Sequence, residues 1–170
     1  SDDAYTPDGS PDMRPEYPSI VYTQILKKLY PDVPVVLGGI EASMRRLSHY
    51  DYWQDRLKKS ILCESGADML IYGMGEKPIC ELVRRLTALC DNQDGVISSS
   101  DIHSPALSSI PQTAYLTRKY ESDENDITLY SHEECLADKK KQATNFRHIE
   151  EESNKYAAAR IVQAVDGKTV

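Results

Sequence analysis

Two short apolar runs that each end abruptly in glycine constrain the fold of this chain more than any other feature. The first run is Val33–Gly39 and the second is Ala67–Glu76. Short apolar runs bounded by turn residues are typical of buried strands, and helical sequence between two of them indicates a parallel β-α-β unit. Ligands of open parallel sheets bind beyond the carboxyl ends of the strands. Both glycine turns are therefore predicted to lie at the binding edge of an α/β domain.

Composition divides the chain into four regions. Residues 1–16 form a polar, proline-rich lead-in, and residues 17–90 contain both glycine-ended runs. Residues 91–130 have the serine, proline and glycine content of a linker or variable connector, and residues 131–170 are predicted to form a helical extension. The predicted fold class is α/β, with a partial doubly wound parallel sheet followed by the linker and a long helix.

Two helices are predicted in the first half of the α/β region. Val21, Ile25 and Leu29 recur at helical spacing, which predicts a helix over residues 17–30 that packs on the sheet by this stripe. A second helix is predicted through residues 53–62, between the two strands. We expect the helix that carries Val21 to pack on the sheet, together with the later helix that carries Leu82.

Two further helices have clear start signals. Glu76 opens a strongly amphipathic segment, where its charge complements the positive end of the helix dipole. Ser131 followed by Glu134 predicts a capping box at the start of a long polar helix, with at most one break, that runs to residue 165. Asp166–Gly167 then predicts a turn that leads into a strand.

Two parallel strands are too few to form a stable sheet. Parallel sheets are covered on both faces, and a sheet needs more than two strands for independent stability. We therefore expect further strands elsewhere in the polypeptide or in another chain.

Charge and composition exclude several classes of function. The 170-residue chain has a net charge of −7 and a mean hydropathy of −0.53, so it lacks the basic face that nucleic-acid binding requires. No apolar run has the length of a membrane span, and no signal-peptide pattern opens the sequence. The chain is expected to be cytoplasmic. Its four cysteines form no C-x-x-C or C-x-x-x-C pair, so no metal site and no catalytic residue are predicted within it.

The glycine turns are the first candidate binding residues. Glycine lets the backbone approach a phosphate or ribose closely and adopt positive φ. An ordinary tight turn from a strand into a loop is the alternative explanation for the same residues. The candidates are Gly38 and Gly39 after the first strand, and Gly73 and Gly75 after the second.

Polar residues near the two turns are the second group of candidates. Glu41 and Ser43 belong to a polar cluster that would line a pocket, or would form a salt-bridged surface loop. Glu76 would bind a ligand hydroxyl, or would only cap its own helix. His49 is a possible acid–base residue, and we expect the neighbouring aromatic residues, Tyr50 to Trp53, to pack as a hinge.

The strings VPVVLGGIEASMRRLSHYDYW and ADMLIYGMGEKPICELVRRL resemble the amino-terminal region of the YgiQ-type radical SAM proteins. The similarity is strong over residues 2–90. It implies a cobalamin-binding-like α/β domain that is followed, in the same polypeptide, by a C-terminal radical SAM domain. That domain would carry a [4Fe–4S] cluster and S-adenosylmethionine.

The resemblance also implies roles for the glycine turns, because the equivalent glycines of cobalamin domains line the pocket for the cofactor's nucleotide tail. The chain departs from the family pattern in two ways. It has no C-x-x-x-C-x-x-C motif to ligate a cluster and no D-x-H-x-x-G motif to ligate cobalt. The leading hypothesis is a non-catalytic accessory region without its own cofactor. A cobalamin- or nucleotide-binding module, and a structural domain that covers the substrate, are the alternatives.

Overall fold

The computed structural model describes residues 5–90 and 97–170, which form a mixed α/β structure. The α-helices are α1 (Pro18–Leu29), α2 (Gly39–Met44), α3 (Ile61–Ser65), α4 (Glu76–Cys90), α5 (Ser99–Ile102), α6 (His132–Ala137) and α7 (Lys139–Ser153). The strands are β1 (Val36–Leu37), β2 (His49–Asp51), β3 (Arg56–Lys58), β4 (Met69–Ile71), β5 (Thr113–Ala114), β6 (Ile127–Thr128), β7 (Ile161–Val162), β8 (Ala164–Val165) and β9 (Lys168–Thr169).

The central sheet has three strands in the order β1-β4-β5. β1 and β4 are parallel, with Val36 opposite Met69 and Leu37 opposite Leu70, so the predicted parallel pairing is confirmed. β5 runs antiparallel to β4. The parallel part of the sheet therefore consists of two strands within the described residues.

Two apolar cores lie on opposite faces of this sheet, because successive side chains of β4 point in opposite directions. Leu70 belongs to the first core and Met69 to the second. The first core contains residues of α1, α2 and α3: Ile20, Ala42, Ile61 and Leu62. The second contains residues of α4, α5 and the segment after it: Leu82, Ile102, Leu107 and Ile110.

A buried carboxylate, Asp68, joins the elements at the amino end of the sheet. Its Oδ2 accepts a hydrogen bond of 2.7 Å from the backbone N–H of Val35, and its own N–H donates to the carbonyl of Val35. Lys27 of α1 lies 3.1 Å from the same carboxylate and also donates to Ser99 of α5. One acidic side chain thus fixes α1, β1 and α5 relative to β4.

α1 occupies the predicted segment but turns a different face inward. Ile20 and Thr23 are buried, whereas Ile25 and Leu29 of the predicted packing stripe are exposed. The contact of Lys27 with Asp68 fixes this rotation, because it directs that side of the helix toward the sheet.

The prediction of a helix through residues 53–62 is wrong. β2 and β3 form an antiparallel hairpin there, and only the short α3 follows. The carboxylate of Asp51 accepts hydrogen bonds from the backbone N–H groups of Trp53 and Gln54, and Asp55 adopts a φ of 47°. These contacts favour a tight turn over a helix, because aspartate competes for backbone groups outside helical geometry.

The C-terminal region is partly helical. The capping box of Ser131 and Glu134 is confirmed at the start of α6, and Asp138 then interrupts the helix and caps α7. The prediction that this helix reaches residue 165 is wrong, because α7 ends at Ser153 and three strands follow. Glu152 accepts a hydrogen bond from the N–H of Ala159, which turns the chain back after the helix.

Polar contacts attach this C-terminal region to the first α/β region and to the connector. The side chain of Gln163 accepts a hydrogen bond of 2.8 Å from the backbone N–H of Ser48. His132 Nδ1 lies 2.9 Å from Ser48 Oγ. Thr117 and Thr169 exchange backbone hydrogen bonds of 2.8 Å. Residues distant in sequence therefore meet in one packed unit.

Part of the predicted connector covers the sheet. Ile102, Leu107 and Ile110 are buried against β4, and residues 91–96 lie outside the described part of the chain. The domain boundaries drawn at residues 17, 91 and 131 stay predictions. None of the helices in the described ranges is long and apolar enough to cross a membrane.

The first prediction concerns the first core. Replacing Leu70 with alanine should lower the free energy of unfolding by about 2–5 kcal/mol, because the side chain is fully buried and its removal leaves a cavity. Urea unfolding measures the change. The matched control is Leu136→Ala, whose side chain is exposed and whose loss should cost less than about 0.5 kcal/mol. Equal effects would contradict this assignment of the core.

Candidate functional site

The two glycine turns meet at one edge of the sheet. Because β1 and β4 are parallel and adjacent, the turns that follow them emerge side by side. The backbone N–H of Gly73 donates a hydrogen bond of 3.3 Å to Ser43 Oγ, which in turn donates to the carbonyl of Gly39. Ser43 therefore links the turn after β1 to the turn after β4. We call this edge the glycine crevice and define it as residues 38–44 and 73–76.

Two positions of the crevice require glycine because of their backbone conformation. Gly39 has a φ of +84° and Gly73 a φ of +70°, which are backbone conformations that other residues adopt only with strain. A Cβ on Gly39 would meet no atom within 4 Å, whereas one on Gly73 would lie 2.9 Å from Nε2 of Gln112. The open space over Gly39 is the part of the crevice that another group can approach.

The remaining predicted residues of the crevice have different surroundings. Glu41 accepts hydrogen bonds from Ser19 Oγ and, at 2.8 Å, from Arg45. Its carboxylate is thus committed to neighbouring side chains, as in the salt-bridged loop that was the alternative. Gly38 is the N-cap of α2 in an extended conformation, and Gly75 immediately precedes Glu76, an exposed residue at the start of α4.

A partly buried network beside α1 was missed by the sequence reasoning. Tyr17 donates a hydrogen bond of 2.7 Å to Oδ2 of Asp51. The Lys58 ammonium lies 4.2 Å from the centre of the Tyr17 ring and 2.9 Å from Glu64, and the Arg45 guanidinium lies 5.0 Å from the same ring. The network joins the start of α1 to the β2–β3 hairpin. Its members lie far apart in the sequence and form no motif, so periodicity gave no signal for it.

The network shifts the ionisation of its two acidic groups. The hydrogen bond to Asp51, with desolvation, raises the pKa of Tyr17 to about 12. The same hydrogen bond and the two turn N–H groups lower the pKa of Asp51 below its ordinary value. Both shifts favour a neutral phenol that donates to a carboxylate, which holds the hairpin in place.

His49 and the aromatic residues lie on this hairpin. His49 Nδ1 lies 3.1 Å from the carbonyl of Leu47, and burial lowers the pKa of the imidazole. Tyr50, Tyr52 and Trp53 are exposed, with Trp53 84% exposed, so the expectation of a packed aromatic hinge is wrong. The turn at Asp51 directs these rings away from both cores.

The whole chain matches one known protein family. The sequence profile of the family described as Radical SAM N-terminal matches residues 1–170. The chain belongs to the Radical SAM N-terminal family. The resemblance drawn from the two glycine-ended strings is thereby confirmed. No solved structure matches the chain.

Several curated relatives of this Radical SAM N-terminal chain are called UPF0313 proteins. One from Bacteroides thetaiotaomicron is 70% identical over all of the chain and 28% of the relative. One from Porphyromonas gingivalis is 58% identical over all of the chain and 25% of the relative. One from Geobacter sulfurreducens is 40% identical over 99% of the chain and 26% of the relative. The chain thus spans about a quarter of the length of these relatives.

The residues of the Radical SAM N-terminal crevice do not fit a cobalt-ligating site. The crevice offers backbone groups and Ser43, but neither of its two segments contains a histidine. The four histidines, His49, His103, His132 and His148, contact Leu47, Asp68, Ser48 and Glu151, all outside the crevice. In the described ranges, no three histidine, cysteine or acidic side chains come together to hold a metal ion.

The second prediction concerns the Tyr17–Asp51 pair. Replacing Tyr17 with phenylalanine should lower the free energy of unfolding at pH 7 by about 1–3 kcal/mol, because Oδ2 of the buried Asp51 carboxylate loses its phenolic donor. The pKa of Asp51 is lowered in the folded state, so its stabilisation is present above pH 3.8 and is lost on acidification below that value. The pKa of Tyr17 is raised, so its stabilisation is lost as the pH rises from 10 toward 12.

Urea unfolding across this pH range measures both effects. Tyr17→Phe should flatten the acidic and the alkaline loss of stability relative to the parent chain. The matched control is Tyr52→Phe, which removes the hydroxyl of an exposed tyrosine and should leave the pH profile unchanged. Superimposable profiles for the parent and Tyr17→Phe would show that the pair does not stabilise the fold.

Proposed function

We propose that this chain is a non-catalytic accessory region of a longer, [4Fe–4S]-dependent radical SAM protein, and that its glycine crevice faces the catalytic domain or the substrate of that protein. The observation that carries the proposal is the family match over the whole chain, which itself lacks the C-x-x-x-C-x-x-C motif. The relatives extend over about four times the matched length, which leaves room for a catalytic domain.

The three cysteines whose side chains the structure describes, Cys63, Cys80 and Cys135, do not fit a cluster. Cys80 is exposed, and Cys135 is buried, with Asn145 donating a hydrogen bond of 3.1 Å to its sulfur. Burial raises the pKa of both Cys63 and Cys135, which disfavours the thiolate form that binds iron. A cluster in the longer protein would supply the electron that cleaves S-adenosylmethionine. The free thiols also support our proposal of a cytoplasmic location, since thiols stay reduced there.

The geometry of the crevice supports a contact role. Gly39 leaves open space at the end of β1, and Ile40, Met44 and Met74 around it are largely exposed. Exposed apolar side chains around an accessible backbone are typical of an interaction surface. The chain would supply the contact surface of the crevice, while the reacting groups would come from elsewhere in the polypeptide. The Glu41 carboxylate and the Ser43 hydroxyl of the crevice are both engaged with neighbouring groups, so the crevice does not bring reacting groups together at one point.

Cobalamin or a nucleotide in the crevice is the alternative inferred from the family resemblance. The positive φ of Gly39 and the space above it suit a phosphate of such a ligand. The contacts of the crevice would bury little of so large a molecule as cobalamin, whereas good small-molecule sites bury most of their ligand. We therefore place this alternative second.

The third prediction tests the assignment of the cluster. After anaerobic reconstitution with iron and sulfide, the purified chain should hold no stoichiometric cluster and cleave no S-adenosylmethionine, because its four cysteines are widely spaced in the sequence and form no cluster motif. The full-length polypeptide that carries this chain should do both. Iron and sulfide analysis and detection of 5′-deoxyadenosine give the result. A cluster on the chain alone would overturn the proposal, and co-elution of added hydroxocobalamin with the chain would favour the alternative.

The fourth prediction tests the crevice with two matched glycine variants of the full-length polypeptide. Gly39 and Gly66 both have positive φ and open space where a Cβ would lie, so alanine at either should cost a similar strain of about 1–2 kcal/mol. Gly66 ends α3 at the opposite end of β4 from the crevice. Gly39→Ala should in addition lower S-adenosylmethionine cleavage roughly tenfold, because the crevice positions the reacting domain.

Gly66→Ala is the control for the strain alone. Its unfolding free energy should fall as much as that of Gly39→Ala, while cleavage stays at the parent level. Equal cleavage by the two variants would show that the crevice has no role in the reaction.

A further inference from the structure

The outer face of α1 carries an apolar stripe that the described residues leave uncovered. Tyr22, Ile25, Leu26 and Leu29 stand at the i, i+3, i+4, i+7 spacing that is typical of a helix face packed in a core. All four side chains are 45–63% exposed, while the opposite face of the helix supplies the buried Ile20 and Thr23. α1 therefore has one apolar face against the first core and a second facing outward. We call the second face the α1 stripe.

β1, which follows α1 in the chain, also has one uncovered side. In the sheet order β1-β4-β5, β1 is the edge strand of the described residues. The backbone N–H and carbonyl of Val35 both point toward β4, where they contact Asp68. Backbone groups of successive residues in a strand point to opposite sides, so the N–H and carbonyl of Val36 point toward the free edge. The side chain of Val36 is still 36% exposed, although parallel strands are normally covered on both faces.

The handedness of crossover connections determines on which side of β1 a strand preceding α1 would lie. α1, α2 and α3 all pack on the first core, so they lie on the same face of the sheet. Connections between parallel strands of one sheet are right-handed in nearly all proteins. The connection through α3 leads from β1 to β4, so a connection through α1 on the same face must come from the other side of β1. That side is the free edge.

We infer that a helix-and-strand unit from the longer polypeptide completes this side of the domain. Its strand pairs in parallel with the free edge of β1, and its helix packs beside α1 on the α1 stripe. The curated relatives have about three quarters of their length outside the matched region, which is long enough to contain such a unit. A second copy of the chain fits less well, because a two-fold axis would pair β1 with β1 in the antiparallel direction.

The added strand deepens the proposed function. Its carboxyl end would lie next to Gly38 and Gly39, so a third turn between strand and helix would border the crevice. The inference rests on the proposed place of this chain in a longer polypeptide. The test of the inference measures contacts and hydrogen bonds, whereas the test of the proposed function measures cluster content and S-adenosylmethionine cleavage. Either test can therefore fail while the other succeeds.

The test is photo-crosslinking in the full-length polypeptide. The variants Ile25→p-benzoylphenylalanine and Val36→p-benzoylphenylalanine place a probe on the stripe and on the free edge. Each should crosslink within one polypeptide to a segment outside these 170 residues, identified by mass spectrometry. The Val36 amide of the unmodified protein should exchange its hydrogen about a hundredfold more slowly than an unstructured amide, because the added strand accepts from it.

The matched control places the same probe at Leu136, which is 58% exposed on α6, remote in sequence from the stripe. It should not label the segment that Ile25 and Val36 label. Crosslinks between two polypeptides would assign the surface to a second copy and overturn the inference. Rapid exchange of the Val36 amide, or capture of one common segment by all three probes, would overturn it as well.

Discussion

The carboxylate of Asp68 is the interaction on which the arrangement of this chain depends. It stands at the start of β4, is nearly inaccessible to solvent, and accepts a hydrogen bond from the backbone of Val35 in the neighbouring strand. A buried carboxylate is costly unless it is paired and hydrogen-bonded. Lys27 of α1 and the Val35 N–H provide that compensation, and Lys27 extends the contact to α5. The register of β1 against β4, and with it the meeting of the two glycine turns, follows from this contact.

Local signals in the sequence predicted the parts of the fold that neighbouring residues determine. The glycine-ended runs correctly predicted β1, β4 and their parallel pairing. Ser131 with Glu134 correctly predicted the start of α6. Each depends on residues close together in the chain. The third strand, β5, lies in the segment whose composition suggested only a linker, and its pairing with β4 joins residues more than forty positions apart.

The errors arose where distant contacts override periodicity. Residues 53–62 have the apolar content of a helix, but the Asp51 carboxylate captures the backbone of Trp53 and is itself held by Tyr17. A long polar helix was predicted from Ser131 to residue 165, yet Phe146 and Tyr156 in that segment are exposed and the chain returns as strands. In the crevice, the sequence identified the glycines but not Ser43 as their bridge, since that hydrogen bond joins residues thirty positions apart.

The tip of the β2–β3 hairpin has a consequence for how this surface meets other molecules. Folding already fixes the backbone beneath Tyr52 and Trp53, through the contacts of Asp51 with the turn and with Tyr17. Association usually loses free energy in ordering a flexible loop. Here that loss is largely absent, because only the rotation of two aromatic rings remains to be restricted. A mobile loop with the same two rings would bind more weakly through entropy alone.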